Sequence, residues 1–134
     1  MKKIIYIALG MLLAGSANAG ADHYLRTVGT HVQHLKIVNE ADGETHVSMD
    51  VDFEPGPNEQ DAHACSVVIA GEAKKISDNE LVLKKQSEGE RHYCTLNITL
   101  QGEAAGVKQS DDCSYFLGHF CKFDSEGSTL KKVR

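Results

Sequence analysis

The sequence predicts an all-β domain, either a small antiparallel β-sandwich or a barrel, held by two disulfides. Short runs of alternating polar and apolar residues recur along the chain, separated by clusters of glycine, proline, asparagine and aspartate. Helical periodicity is scarce, and strands of this length and spacing are typical of antiparallel sheets. The four cysteines all lie beyond an export-type amino terminus, where an even number favours disulfides over thiol chemistry.

The first 19 residues have the pattern of a secretory signal peptide. Lys2 and Lys3 precede the apolar run Ile4 to Leu13, and Ala17-Asn18-Ala19 matches the small-residue cleavage pattern. The apolar run is shorter than the ~20 residues that span a bilayer, and no cysteine follows it to carry a lipid. We expect cleavage near Ala19, a periplasmic or secreted product without a membrane anchor, and one β domain over 20–134.

Charge restricts the class of partner. Removal of 19 of the 134 residues leaves 115, and the loss of two lysines moves the formal net charge from −5 to −7. The acidic excess lies between Asp22 and His63, whereas the chain from Ala64 onward is balanced. This distribution argues against nucleic acid as a partner and favours a cationic protein.

Residues Thr45 to Phe53 form the clearest strand, with apolar side chains at every second position. The run Val32 to Asn39 precedes it, and Asp42-Gly43 between the two indicates a hairpin. A three-residue loop with Gly43 in a left-handed conformation puts the apolar residues of both strands on one face. This register predicts the inward pairs Leu35–Val51 and Ile37–Met49, and the outward pairs Lys36–Asp50, His34–Asp52 and Glu40–His46.

The remaining elements are assigned in chain order. Two prolines near Gly56 break the sheet, and Glu59 to Ala64 is either one helical turn or a loop. Further strands are predicted at Cys65–Ala70, Leu81–Leu83 and His92–Leu100, the last ended by Gly102–Gly106. The aromatic run Tyr115–Phe123 is β-prone, and Thr129–Val133 is placed to close the sheet.

Strand faces predict the disulfide pairing. Cys65 continues the apolar face of Val67 and Ile69, and Cys94 continues that of Leu96 and Ile98, so a Cys65–Cys94 bridge is expected. Cys113 and Cys121 would then staple a hairpin-like loop around Gly118. Both bridges are interpreted as structural, because no C-x-x-C pair is present.

No group of residues predicts an active site. Ser66 and Ser114 adjoin cysteines, and no G-x-S-x-G elbow is present. The carboxylate pair Asp50/Asp52 lies on an open strand face, and Asp111/Asp112 leads into a turn. We therefore expect a protein that is not an enzyme and has no catalytic residues.

The histidines invite a metal hypothesis. His31 and His34 are three residues apart, which on a strand places them on opposite faces. His34, His46, Asp50 and Asp52 share one predicted outer face, and zinc is bound by such groups. Cross-strand ion pairs already account for them, so the favoured interpretation is a solvated polar face, and we expect neither a metal nor another cofactor.

The carboxyl-terminal segment is rich in aromatic residues, and its order of features carries a resemblance. Core packing is the first interpretation, and a rigid binding loop with Leu117-Gly118-His119 at its tip is the second. Cys113-Ser114-Tyr115-Phe116, Cys121-Lys122-Phe123, Gly127 and Leu130-Lys131 follow in an order that resembles small exported proteobacterial β proteins of the lysozyme-inhibitor kind. The serine-glycine-x-tyrosine loop of the better-known inhibitors is absent, Gly118-His119 being its nearest counterpart, so no residue roles are transferred.

These observations predict a protein that binds and inhibits another protein. The expected target is a cationic, lysozyme-like cell-wall hydrolase or a periplasmic effector to which this chain confers immunity. Two alternatives remain open: an envelope protein that binds a metal or small ligand, and a structural protein of the cell envelope. The residues predicted to contact the partner are Leu117, Gly118, His119, Asp50, Asp52, Glu54 and Glu59.

Overall fold

A computed structural model describes residues 20–58, 64–86, 91–117 and 121–133. Eight strands follow one another in an antiparallel meander, and the last pairs with the first, so the sheet is a closed barrel. Of the two predicted architectures, the barrel is the one that forms. The strands are β1 (Ala21–Val28), β2 (His31–Asn39), β3 (Thr45–Phe53), β4 (Cys65–Ser77), β5 (Glu80–Gln86), β6 (Tyr93–Gln101), β7 (Ala104–Gln109) and β8 (Leu130–Val133).

Side chains fill the interior of the barrel. An eight-stranded barrel has an interior just wide enough for this, and every second residue of each central strand points inward. The largest side chains with less than 2% exposure include Phe123, Leu35, Met49, Ile69, Leu83, Leu96, Ile98 and Leu130. The outer wall is therefore the surface available for recognition.

The two ends of the barrel carry different connections. The β2–β3, β4–β5 and β6–β7 connections are short and lie at one end, which we call the turn end. The β1–β2, β3–β4, β5–β6 and β7–β8 connections lie at the other, which we call the stapled end because both disulfides are there. Among the described residues, no helix has the length and apolar character needed to cross a membrane.

Local alternation predicted several strands well and missed two. The bounds of β3 are confirmed, and β2 begins one residue earlier than expected. Strands β4 and β5 extend beyond the predicted bounds, and β6 has its predicted length but lies one residue later. Strand β7 lies in the segment that was expected only to end β6. Gly102, with φ 63°, makes a tight turn there, and an Ala-Ala-Gly start of low β propensity still pairs with β6. Strand β1, which was not predicted, pairs with both β2 and β8.

The predicted β2–β3 register is wrong by two residues. Leu35 pairs with Met49, and Ile37 with Val47. The loop has five residues rather than three, because the last strand pair is Asn39 with Thr45. A shift of two leaves each side chain on its predicted face.

The outward pairs change with the register. Lys36 lies opposite Ser48 instead of Asp50, and Asp50 instead of Asp52 lies opposite His34. Glu40 still reaches His46, with Oε1 and Nε2 3.6 Å apart. Within the loop, Gly43 has the predicted positive φ, at 90°. The loop length therefore accounts for the error, and the glycine conformation does not.

The predicted disulfide pairing is also wrong. The bridges are Cys65–Cys121 and Cys94–Cys113, with Cα atoms 6.2 and 4.3 Å apart. Strand β5 separates the two strand cysteines: Lys85 pairs with Cys94, and on its other side it packs beside Gly71. Gly71 is six residues along β4 from Cys65, roughly 20 Å in a strand, which is beyond the reach of a disulfide.

The described part of the aromatic run after Cys113 is not a strand. A short 3₁₀ turn at Asp111–Cys113 leads into α1 (Ser114–Leu117), a single helical turn. This helical path directs Cys113 toward β6, where it is bonded to Cys94 instead of Cys121. The core interpretation holds for Leu117, which is 6% exposed, and for Phe123, which is fully buried.

Candidate functional site

An open groove of about 630 Å³ lies at the rim of the barrel wall, at the stapled end. It runs across the ends of β2, β3 and β4. The strand register brings its centre together, since Val32, Asp52 and Ser66 are direct neighbours across the three strands. The full lining is Thr30, Val32, Asp52, Phe53, Glu54, Ala64, Cys65 and Ser66.

Hydrogen bonding and a disulfide hold the rim of the groove in place. The Thr30 hydroxyl donates to the Glu54 carbonyl, which ties the β1–β2 turn to the end of β3. On the other side, Cys65 is bonded to Cys121. The groove is therefore fixed on both sides by contacts between segments far apart in sequence.

The groove is acidic and partly apolar. Asp52 and Glu54 are exposed at its edge, and Val32 and Phe53 contribute apolar surface. None of its eight lining residues is basic. A lysine or arginine side chain, with an aliphatic stem and a charged head, matches this combination.

His31 lies behind the groove, at the mouth of the barrel. Its ring meets that of Phe53 edge to face, with centroids 6.0 Å apart. Its Nε2 is buried and has no hydrogen-bond partner among the described residues. Burial, and then the positive charge of Arg26, lowers the pKa of His31 below its ordinary value.

A segment of the β7–β8 connection, residues 121–125, closes the stapled end from within, and we call it the plug. The buried amide of Gln33 donates hydrogen bonds of 2.8 Å to the carbonyls of both Lys122 and Asp124. Gln109 Oε1 accepts from the backbone N–H groups of residues 123 and 124 at 2.7 and 3.1 Å. Ser125 Oγ accepts from the Val107 N–H at 3.0 Å. These side chain to backbone bonds replace strand pairing where the barrel wall ends.

The residues predicted to contact a partner are only partly brought together. Asp52 and Glu54 border the groove. Asp50 lies on the same outer face, one pair further from the stapled end, with Oδ2 3.7 Å from His34 Nδ1. Leu117 is buried, so it does not present a loop tip. Gly118, His119 and Glu59 lie outside the described residues.

The sequence did not indicate the groove's apolar part or its threonine. Val32 is an ordinary outward strand residue in the sequence, and its place in the groove depends on its pairing opposite Asp52. The Thr30 contact depends on recognising β1, whose alternation is weak, because Tyr24 is its only buried residue.

The histidine face contains two separate clusters. His23 Nδ1 and His34 Nε2 are 2.9 Å apart, a contact that the unrecognised β1 supplies. At the turn end, His46 Nε2 lies 3.6 Å from Glu40 and 3.7 Å from Glu44, an arrangement able to hold a metal ion. His34 and His46 thus share a face, as predicted, but belong to different clusters.

Comparison of the chain with protein-family models, with curated proteins and with solved structures gives no match. The groove and its contacts therefore carry the functional argument alone.

Proposed function

We propose that this chain is an exported inhibitor or immunity protein that binds a cationic partner protein through the acidic groove. A lysine or arginine of the partner inserts between Asp52 and Glu54, and its aliphatic stem packs on Val32 and Phe53. The groove at the stapled end is the observation that carries the proposal. The expected partner class is a lysozyme-like cell-wall hydrolase or a toxic periplasmic effector.

Rigidity of the stapled end supports this proposal. The Cys65–Cys121 bridge forms one wall of the groove, and the Thr30–Glu54 contact fixes its edge. A preformed surface loses less conformational entropy on binding, so more of the interaction energy appears as affinity. The filled barrel interior further favours recognition at the outer wall.

Electrostatics supports a cationic partner. A groove that is lined by two carboxylates and has no basic residue among its described lining attracts positive charge and accelerates encounter with a basic protein. Removal of one member of a desolvated charge pair at an interface costs about 2–5 kcal/mol of binding free energy. The two groove carboxylates are therefore expected to have large effects on affinity.

The test is a binding measurement with the purified, oxidised protein immobilised against a panel of basic lysozymes. We expect at least one to bind and to lose hydrolytic activity, with an affinity that falls as salt concentration rises. The Asp52→Asn/Glu54→Gln variant is expected to weaken binding at least tenfold, in line with the loss of a charge pair.

A matched control carries the same change of net charge elsewhere. Glu72 and Asp78 are exposed acids outside the groove, Asp78 at the turn end. The Glu72→Gln/Asp78→Asn variant is expected to bind nearly as well as the unmodified protein. Equal losses in both double variants would show attraction by net charge alone and contradict a groove site, as would the absence of binding to every basic hydrolase tested.

A second candidate function is binding of a divalent metal at the turn end. It is favoured by one observation, the convergence of His46 with Glu40 and Glu44, whose ligand atoms lie within 4.8 Å of one another. Imidazole nitrogens and carboxylate oxygens are zinc ligands. A zinc-dependent rise in melting temperature that is lost in His46→Gln would support this function.

A further inference from the structure

Tyr115 is an exposed aromatic residue whose ring is held from one side. It lies in α1, and 52% of its surface is exposed. The His92 ring stacks against it, with centroids 3.8 Å apart and planes within 4° of parallel. One face of the Tyr115 ring is thus covered by the molecule itself, and among the described residues the other is open to a partner.

The backbone beneath Tyr115 is fixed as firmly as the ring. Cys113, two residues earlier, is bonded to Cys94, and its N–H donates to the Ser110 carbonyl at 3.1 Å. Leu117, two residues later, is buried in the core. A rotation of α1 that buried Tyr115 would have to break one of these attachments. The exposure of the ring is therefore imposed by its surroundings.

An acidic group completes the cluster. His92 Nδ1 lies 3.5 Å from Asp112 Oδ2, and the Asp112 side chain is 52% exposed. Asp112, His92 and Tyr115 therefore form one chain of contacts, with the carboxylate at one end and the open aromatic face at the other. Asp111, also exposed, adds a second negative charge next to it in sequence.

A second exposed tyrosine provides an internal comparison. Tyr93 is 44% exposed, and Lys84 Nζ lies over its ring, 4.7 Å from the centroid. Its aromatic face already has a cation from the same chain. Among the described residues, no lysine or arginine is placed in this way over Tyr115.

We infer that the open face of Tyr115, with the negative charge of Asp112 nearby, forms a subsite for an arginine side chain of the partner protein. A guanidinium group is planar and stacks on aromatic faces, and the carboxylates of Asp111 and Asp112 favour a cation at this part of the surface. Tyrosines on a rigid surface are frequent anchors of protein interfaces. The inference rests on the proposed function in taking a cationic protein as partner, and it adds a second contact at the same end of the barrel.

The probe is a single arginine side chain, supplied as Nα-acetyl-arginine amide, with Nα-acetyl-citrulline amide as its uncharged counterpart. Each is titrated into the oxidised protein while the ring signals of Tyr115 are followed by NMR, with assignment from the Tyr115→Leu spectrum. We expect saturable shifts at millimolar arginine amide and much smaller shifts with the citrulline compound. Tyr115→Leu should lose the response of neighbouring backbone signals, Asp112→Asn should weaken it severalfold, and Tyr93→Leu should retain it.

The result separates this subsite from the groove. Equal shifts with both compounds, or a response that survives Tyr115→Leu, would overturn the arginine subsite whatever the groove variants show. If a basic hydrolase is found to bind, Tyr115→Leu is expected to weaken that binding about fivefold, whereas Tyr93→Leu should not. Failure of every hydrolase to bind would contradict the proposed function, and the arginine titration would still report on the subsite.

Discussion

The two ends of the barrel are closed by different kinds of contact. At the turn end, three short connections reverse the chain within a few residues, and glycines with positive φ, Gly43 and Gly102, make two of the turns. At the stapled end, the long β7–β8 connection folds back across the barrel mouth and is fixed by two disulfides and the Gln33 amide. Local backbone conformation closes one end, and contacts between distant segments close the other.

This difference indicates where binding is most easily built. A tight turn offers few side chains for binding, because it contains few residues and most of them are needed for the turn conformation. Long connections that are firmly held present side chains on a surface of fixed shape, as rigid binding loops do. The groove and the Tyr115 cluster both lie at the stapled end. We expect the stability of this end to depend on long-range contacts.

Removal of a disulfide is expected to have the largest effect. On chain-entropy reasoning, loss of Cys65–Cys121, with its separation of 56 residues, costs about 4 kcal/mol of the free energy of unfolding. Loss of Cys94–Cys113, with a separation of 19, costs about 3 kcal/mol. Urea unfolding of the paired cysteine-to-alanine variants measures both. If the loss of either bridge lowered the free energy of unfolding by less than about 1 kcal/mol, the stapled end would not depend on its disulfides as proposed.

The next largest effect is expected at Gln33. Its replacement by methionine keeps the approximate volume but leaves the carbonyls of Lys122 and Asp124, which face the buried Gln33 side chain, without their donor. Each unsatisfied group costs about 1–3 kcal/mol, so we expect a loss of about 3 kcal/mol in urea unfolding. Gln101→Met, at an exposed position of the turn end, is the control and is expected to change stability by less than about 0.5 kcal/mol.

At the turn end a smaller effect is expected from Gly43→Ala. Gly43 has φ 90°, where a side chain is strained, and the substitution should cost about 1 kcal/mol. Gly106→Ala serves as the control, because an added Cβ there has no neighbour within 4 Å and φ is not positive. Thermal unfolding of both variants compares them. If Gly43→Ala lowered the free energy of unfolding as much as the loss of a disulfide does, the smaller role expected for the turn end would be contradicted.

The smallest expected effect concerns acid stability through His31. Because burial and Arg26 lower its pKa in the folded state, the unfolded chain takes up the proton first as pH falls. Folding is then destabilised below about pH 6.5, the ordinary pKa of histidine, and is unaffected by this group well above it. In urea unfolding measured at both pH values, His31→Gln should lose less stability than the unmodified protein between pH 7.5 and 5.5.

The sequence predicted what depends on local pattern. Alternation identified β3 at its observed bounds and assigned the inward faces of β2 and β3 correctly. It also placed Asp52 and Glu54 on an exposed surface, where they border the groove. Strand period and solvent exposure depend on residues that are close in sequence, so they can be predicted without knowing the fold.

What was missed depends on distant parts of the chain. Cys65 and Cys94 do share an inward orientation, but the bridge depends on β5 lying between their strands. The aromatic run at Tyr115 has high β propensity, yet it forms a helical turn because Cys113 and Leu117 are attached to the core. The stacking of His92 on Tyr115 joins two connections that are separate in sequence. The missed bridges, helical turn and ring contact lie at the stapled end, whereas the missed β2–β3 register and β6–β7 turn lie at the turn end.

The bridge connectivity has a consequence for cleavage of the chain. Both disulfides end in the same β7–β8 connection, so Cys65, Cys94, Cys113 and Cys121 belong to one covalent ring. A single cut of the backbone at any point between Cys65 and Cys121 leaves the two fragments joined by at least one bridge. More than a third of the sequence can thus be nicked by a protease without releasing a piece, a property suited to a protein expected to work outside the cytoplasm.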